Sequence, residues 1–172
     1  MQVFKHTLKK EKKNLIKEKK MKDNKTRPFL YGAYGSNLNI SQMERRCPDA
    51  IPVGTVVVKG WQLVFRSVAD IVECEGGEVA LGLWQITDSC EASLDVYEGY
   101  PSLYGKTYLD VNGLEESFGT SEVLIYTMNS KMISPPTNGY LQSIKEGYED
   151  FDLDMQNLLY AVKDSFTKST TA

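Results

Sequence analysis

Two features of this sequence carry residue types that could do chemistry: the run Tyr34-Gly35-Ser36-Asn37-Leu38 and the single carboxylate Glu98. Gly35 lets the backbone approach a ligand closely or turn sharply. Amides converging in such a turn and at the start of a following helix form a nest for an anion. Ser36 and Asn37 add side-chain donors, so the expected ligand group is a carboxylate or phosphate. The same five residues also read as a plain strand-to-helix turn in which Ser36 or Asn37 is only the cap. Glu98 falls where a helix over Ser89–Tyr97 should stop, just before Gly99 and Pro101. A carboxylate there gains nothing from the helix dipole, and partial burial would disfavour its charged form. Both effects make it a better proton acceptor. The alternative is an exposed glutamate beside a glycine cap. Asp95, three residues earlier, could face the same way or lie on solvated surface.

Several chemistries lack their residues. No GxGxxG, GxxxxGK[ST] or GxSxG segment occurs. The one histidine, His6, sits in a basic arm, which argues against a Ser-His-Asp triad. Cys47, Cys74 and Cys90 are widely spaced and form no CxxC pair, so no structural metal is expected. The odd cysteine count fits a reducing, cytoplasmic setting better than a secreted scaffold. No run of about 20 apolar residues predicts a membrane span.

Charge is unevenly spread. Residues 1–27 carry eleven Lys/Arg and three Asp/Glu, a formal +8, which leaves residues 28–172 at −11 against the whole-chain −3. Composition predicts a flexible basic extension over 1–27, within which Met21 could be an alternative start. Nucleic acid or an acidic partner could be held only through this arm. One domain is expected over 28–166, followed by a polar tail over 167–172.

The elements that must position the two features follow from local pattern. The aromatic-rich Phe29–Tyr34 reads as a strand, with a helix near residues 39–46 after the glycine turn. Val53–Phe65 and Val79–Ile86 read as strands, with a hairpin turn at Gly76-Gly77. Asp88 and Glu91 resemble a capping box for the next helix. Two strands follow, near Lys106–Val111 and Glu122–Thr127. Helices near Asn138–Glu146 and Asp152–Lys163 close the domain. Only the first strand is expected to run directly into a helix, which argues against a doubly wound sheet. The predicted class is α+β: a small mixed, barrel-like sheet with flanking helices.

Three segments, in order and context, resemble the gamma-glutamylcyclotransferase-like family: Phe29–Leu38, Gly60–Phe65 and Leu94–Tyr100. Tyr104, and Pro136 ahead of Tyr140, also fit its pattern. The resemblance implies that the loop Tyr34, Gly35, Ser36, Asn37 and Leu38, with Tyr104, binds the α-amino-acid end of a small γ-glutamyl substrate. It implies Glu98 as acid-base residue, with support from Tyr31, Lys106 and Tyr140. It implies ring closure of the γ-glutamyl group to 5-oxoproline. Such chemistry needs no protein nucleophile, no metal and no cofactor, because the substrate's own amine attacks. Where the family often carries an arginine, this chain has Gly105-Lys106, and lysine lacks the guanidinium fork. A second reading keeps the scaffold without catalysis, as a binding protein tethered by the basic arm.

Overall fold

The computed structural model describes residues 29–169. Among these residues five strands form one mixed sheet: β1 (Phe29–Ala33), β2 (Ile51–Arg66), β3 (Val68–Ile86), β4 (Tyr104–Asp110) and β5 (Glu122–Met128), in the order β2-β3-β1-β5-β4. β1 is central, antiparallel to β3 and parallel to β5. It has only five residues, and four of them are buried. Leu30 and Ala33 of β1, Leu83 of β3 and Val123 and Ile125 of β5 form the middle of the core.

β2 and β3 make one long hairpin that turns at Ser67, a residue with φ of 67°. This corrects the turn expected at Gly76-Gly77. The β-branched and aromatic runs on either side of Ser67 are long enough to pair directly. Pairing passes from Lys59–Glu78 to Trp61–Glu73, so Gly76 and Gly77 belong to a bulge in β3 that absorbs the surplus residues opposite Gly60. Past β5, Ser134 bridges to Arg66 at the end of β2, which curls the sheet toward its other side. The strand pairing itself remains open among the described residues, so the sheet is mixed rather than a closed barrel.

Among the described residues the helices are α1 (Ile40–Arg46), α2 (Asp88–Glu98), α3 (Glu115–Phe118), α4 (Asn138–Asp150) and α5 (Met155–Ser169). β1 and β3 both lead into helical turns, not β1 alone. Neither Ser36 nor Asn37 caps α1. Ser36–Leu38 first complete a 3₁₀ turn, and Asn39 then accepts from Gln42 N at 3.0 Å. Thr87, rather than Asp88, caps α2 by accepting from Cys90 N, and Asp88 and Glu91 fall in the first turn, where the dipole favours them. α2 ends at Gly99, whose φ of 65° is the left-handed conformation expected of a helix-terminating glycine.

α4 lies across the 3₁₀ turn. A Cβ at Gly147 would run into Leu38 Cβ and come within 2.7 Å of Asn39 N, so only glycine permits this approach. α5 runs through Ser169, so residues 167–169 continue a helix where a polar tail was expected. The basic arm with His6 and Met21, and residues 170–172, lie outside the described residues. Among the described residues no helix is long and apolar enough to cross a membrane.

Candidate active site

The topology brings distant parts of the chain to one place. β1 supplies Tyr31, and the turn after it supplies Tyr34, Gly35, Ser36 and Asn37. The end of α2 supplies Tyr97 and Glu98. Tyr104 comes from the start of β4 and Tyr140 from the first turn of α4. These residues surround a cavity of about 300 Å³, closed on another side by Val68, Ala69, Leu103 and Met128. A volume of this size suits a small polar metabolite.

At the centre is a hydrogen-bonded cluster. Asn37 Nδ2 donates to Glu98 Oε1 and to Tyr31 OH, both at 2.8 Å. Its Oδ1 accepts from Arg46 Nη1 at 2.6 Å. Ser36 Oγ lies 3.1 Å from Tyr97 OH. The phenols are held by the backbone. Tyr34 OH donates to the main-chain oxygen of Tyr126, and Tyr104 OH donates to that of Ala69 at 3.1 Å. Tyr140 OH accepts from Ala69 N at 3.1 Å. Tyr34 and Tyr104 therefore commit their protons to the scaffold. Tyr31 and Tyr140 are seen here as acceptors and keep a hydroxyl proton to offer a ligand.

Burial governs the electrostatics. Desolvation pushes Glu98 from an ordinary carboxylate value of 4.5 up to about 7, against the Asn37 hydrogen bond and the positive charge of Arg46. Burial, reinforced by the Glu98 charge, raises Tyr31 well above its ordinary value, and burial raises Tyr140 to about 12. Near neutral pH these phenols stay protonated donors, and Glu98 is the group poised to exchange a proton.

Of the residues singled out in the sequence, Tyr31, Tyr34, Gly35, Ser36, Asn37, Glu98, Tyr104 and Tyr140 line this one cavity. Leu38 and Lys106 do not. Leu38 is fully buried beneath Gly82 and Gly147, where it anchors the loop. Lys106 Nζ is engaged 2.6 Å from Glu91 Oε1 and 2.7 Å from Asp95 Oδ1, one and two turns of α2 before Glu98. Asp95 accepts from Tyr126 OH at 2.6 Å instead of joining Glu98.

Sequence reading missed Arg46, Tyr97 and Asp70. Arg46 and Tyr97 are far apart in sequence, yet the guanidinium carbon stacks 3.7 Å from the Tyr97 ring centre. Asp70 is buried, pairs with Arg66 Nε at 2.9 Å and accepts from Met128 N, which ties β3 to β5 at the cavity wall. No local pattern marks these three; an acidic residue inside an apolar strand run was the one available hint for Asp70. Among the described residues no three His, Cys, Asp or Glu side chains converge as metal ligands.

The family model described as "Gamma-glutamyl cyclotransferase, AIG2-like" matches residues 29–149. A gamma-glutamylcyclotransferase of Bos taurus is 28% identical, with 74% of each chain covered. A solved gamma-glutamyl cyclotransferase superposes with a TM-score of 0.64 at 24% identity, over 78% of this chain and 85% of the other. YkqA of Bacillus subtilis gives 0.64 at 25% identity, over 88% of this chain and 59% of its own.

Proposed function

This chain belongs to the gamma-glutamyl cyclotransferase, AIG2-like family, and we propose that it closes the γ-glutamyl group of a small γ-glutamyl amine or amino acid into 5-oxoproline, releasing the free amine. Membership supports an activity of this general type. The observation that carries the finer reading is the contact of Asn37 with Glu98 at 2.8 Å on the wall of one cavity, which joins an anion-suited loop to a carboxyl group of raised proton affinity.

The reaction divides between substrate and protein. The substrate brings its own nucleophile, so the protein's first task is to fold the γ-glutamyl chain until nitrogen meets carbonyl, a gain in proximity and orientation. The loop amides at Gly35–Asn37, with Ser36, hold the α-carboxylate. Ionised Glu98 takes the proton that the α-ammonium must lose. The amine then adds to the γ-carbonyl, forming the ring C–N bond and placing negative charge on the carbonyl oxygen. Tyr31 OH, whose oxygen already accepts from Asn37, can donate to that oxyanion. As the tetrahedral centre collapses, the original C–N bond breaks, Glu98 returns its proton to the departing nitrogen, and the ring nitrogen loses its remaining extra proton to solvent to leave the neutral lactam. One carboxyl group near pH 7 suits both transfers.

The amine or amino acid that leaves faces Val68, Leu103 and Met128, an apolar side of the cavity. Incubation of the purified protein with a panel of γ-glutamyl amino acids and γ-glutamyl amines, with 5-oxoproline as the readout, tests the reading. Product from at least one member of the panel is expected. None from any, at high enzyme concentration, would overturn it.

A further inference from the structure

Arg46 ends α1, lies outside the cavity lining, and has no part in the reaction as drawn above. Its surroundings are nonetheless specific. Nη1 lies 2.6 Å from Asn37 Oδ1 and 3.4 Å from Ser36 Oγ. Nη2 donates to Gln42 Oε1. The guanidinium plane covers Tyr97, the neighbour of Glu98 in the last turn of α2. One side chain thus grips the ligand-holding loop and the end of the helix that bears the carboxylate.

The amide of Asn37 has two orientations, and its neighbours choose between them. As found, Oδ1 faces a guanidinium that can only donate, and Nδ2 faces a carboxylate and Tyr31 OH. The flipped amide would turn donors toward Arg46 and its oxygen toward Glu98, an arrangement that only a protonated Glu98 would accept. We propose that Arg46 is a positioning residue for the proton transfers: by holding Asn37 Oδ1 it keeps Nδ2 on Glu98, and by stacking on Tyr97 it fixes the carboxylate against the loop. This inference rests on the cyclising reading above for its catalytic meaning.

The other groups that face Glu98 cannot substitute. Tyr31 from β1, Tyr34 from the turn after it, Tyr104 from β4 and Tyr140 from α4 are phenols whose proton affinity burial raises, so they stay neutral while Glu98 titrates. Tyr97 lies on the same helix, under the guanidinium. Among the described residues, Arg46 is the cation whose charge lowers the proton affinity of Glu98, and it also acts through Asn37. Without it, the flipped amide with protonated Glu98 becomes accessible, and the carboxyl group holds its proton to higher pH.

The test uses the full chain and two variants, Arg46→Met and Arg46→Lys, each checked for its thermal midpoint. The Glu98 carboxyl is titrated by ¹³C NMR in the ligand-free protein, and 5-oxoproline formation is followed against pH. In Arg46→Met the Glu98 midpoint should rise by about one unit, a tenfold change in proton affinity. The acid limb of the rate profile should move with it, with kcat affected more than KM. Arg46→Lys keeps a charge and loses the fork, so the Asn37 side-chain amide protons should lose their protection from exchange. If Arg46→Met fails to fold, Arg46→Lys decides the matter. An unchanged Glu98 midpoint and unchanged Asn37 protection in a folded variant would overturn the proposal. Absence of 5-oxoproline from the parent protein would instead sink the cyclising reading, while the titration would still report whether Arg46 governs Glu98.

Discussion

Asn37 Nδ2 sits 2.8 Å from Glu98 Oε1, and this one bond joins residues 61 positions apart. It links the turn after β1 to the last residue of α2, so the two features that stand out in the sequence form a single site. The bond also limits the rise in proton affinity that burial imposes on Glu98, leaving it close to neutral pH.

Replacing Glu98 with glutamine keeps the shape of the side chain and removes its ability to carry a proton. Turnover should fall by on the order of 10²-fold or more if this group moves the proton. The circular dichroism spectrum should match the parent protein. Near-parental 5-oxoproline formation by Glu98→Gln would remove Glu98 from its role.

The pH dependence has a definite sign. Glu98 must be ionised to accept a proton, and its value near 7 means that kcat/KM should fall as pH drops below about 7, on a limb absent from an ordinary carboxylate. Stability runs the other way. Between 4.5 and about 7 the folded protein holds a proton that the unfolded chain has released, so stability owed to Glu98 is complete below 4.5 and is lost as pH rises through about 7. Urea denaturation of Glu98→Gln against the parent should therefore show an advantage for the variant that grows from pH 4.5 to 7.5. A difference that stays constant with pH would contradict the buried, proton-retaining Glu98.

Much of this site was legible because its parts are local. The glycine turn after an aromatic strand and the glutamate before a helix-terminating glycine are each visible within a few residues. Strand and helix types also followed from local pattern. The errors arose where pairing over distance decided the outcome. Gly76-Gly77 looks like a hairpin turn in isolation, but the length of matched strand around Ser67 sets the hairpin there and leaves the glycines to a bulge. Arg46 and Tyr97 carry no signal alone, since their stacking exists only once α1 and α2 meet. Lys106 looked like a site cation by its position after Tyr104, and it does share that strand face, yet Glu91 and Asp95 of α2 hold its ammonium group.

Gly147→Ala tests whether α4 sets the position of the loop. The added methyl group would press on Leu38 and come within 2.7 Å of Asn39 N, and backbone cannot yield as a flexible side chain can. Overpacking of this kind costs about 1–3 kcal/mol. Because the displaced turn carries Ser36 and Asn37, KM for a γ-glutamyl substrate should rise as well. Loss of stability with an unchanged KM would show that the loop holds its shape without α4.

Lys106→Met separates a wall-bracing role from a direct one. Lys106 Nζ binds Glu91 and Asp95 and lies 4.6 Å from the Tyr100 ring centre, while Asp95 in turn accepts from Tyr126 OH in the cavity wall. Both ion pairs retain solvent contact, so their loss should cost no more than about 1 kcal/mol. The cation does not reach the cavity, so kcat/KM should change by no more than about threefold, or ~0.7 kcal/mol. The small change expected would come through Tyr126, which loses a fixed partner when Asp95 is freed. Steady-state kinetics with a γ-glutamyl amino acid and a γ-glutamyl amine distinguish the cases. A large loss confined to the substrate whose leaving group bears a carboxylate would mean that Lys106 swings in to meet it, and the bracing role would then be wrong.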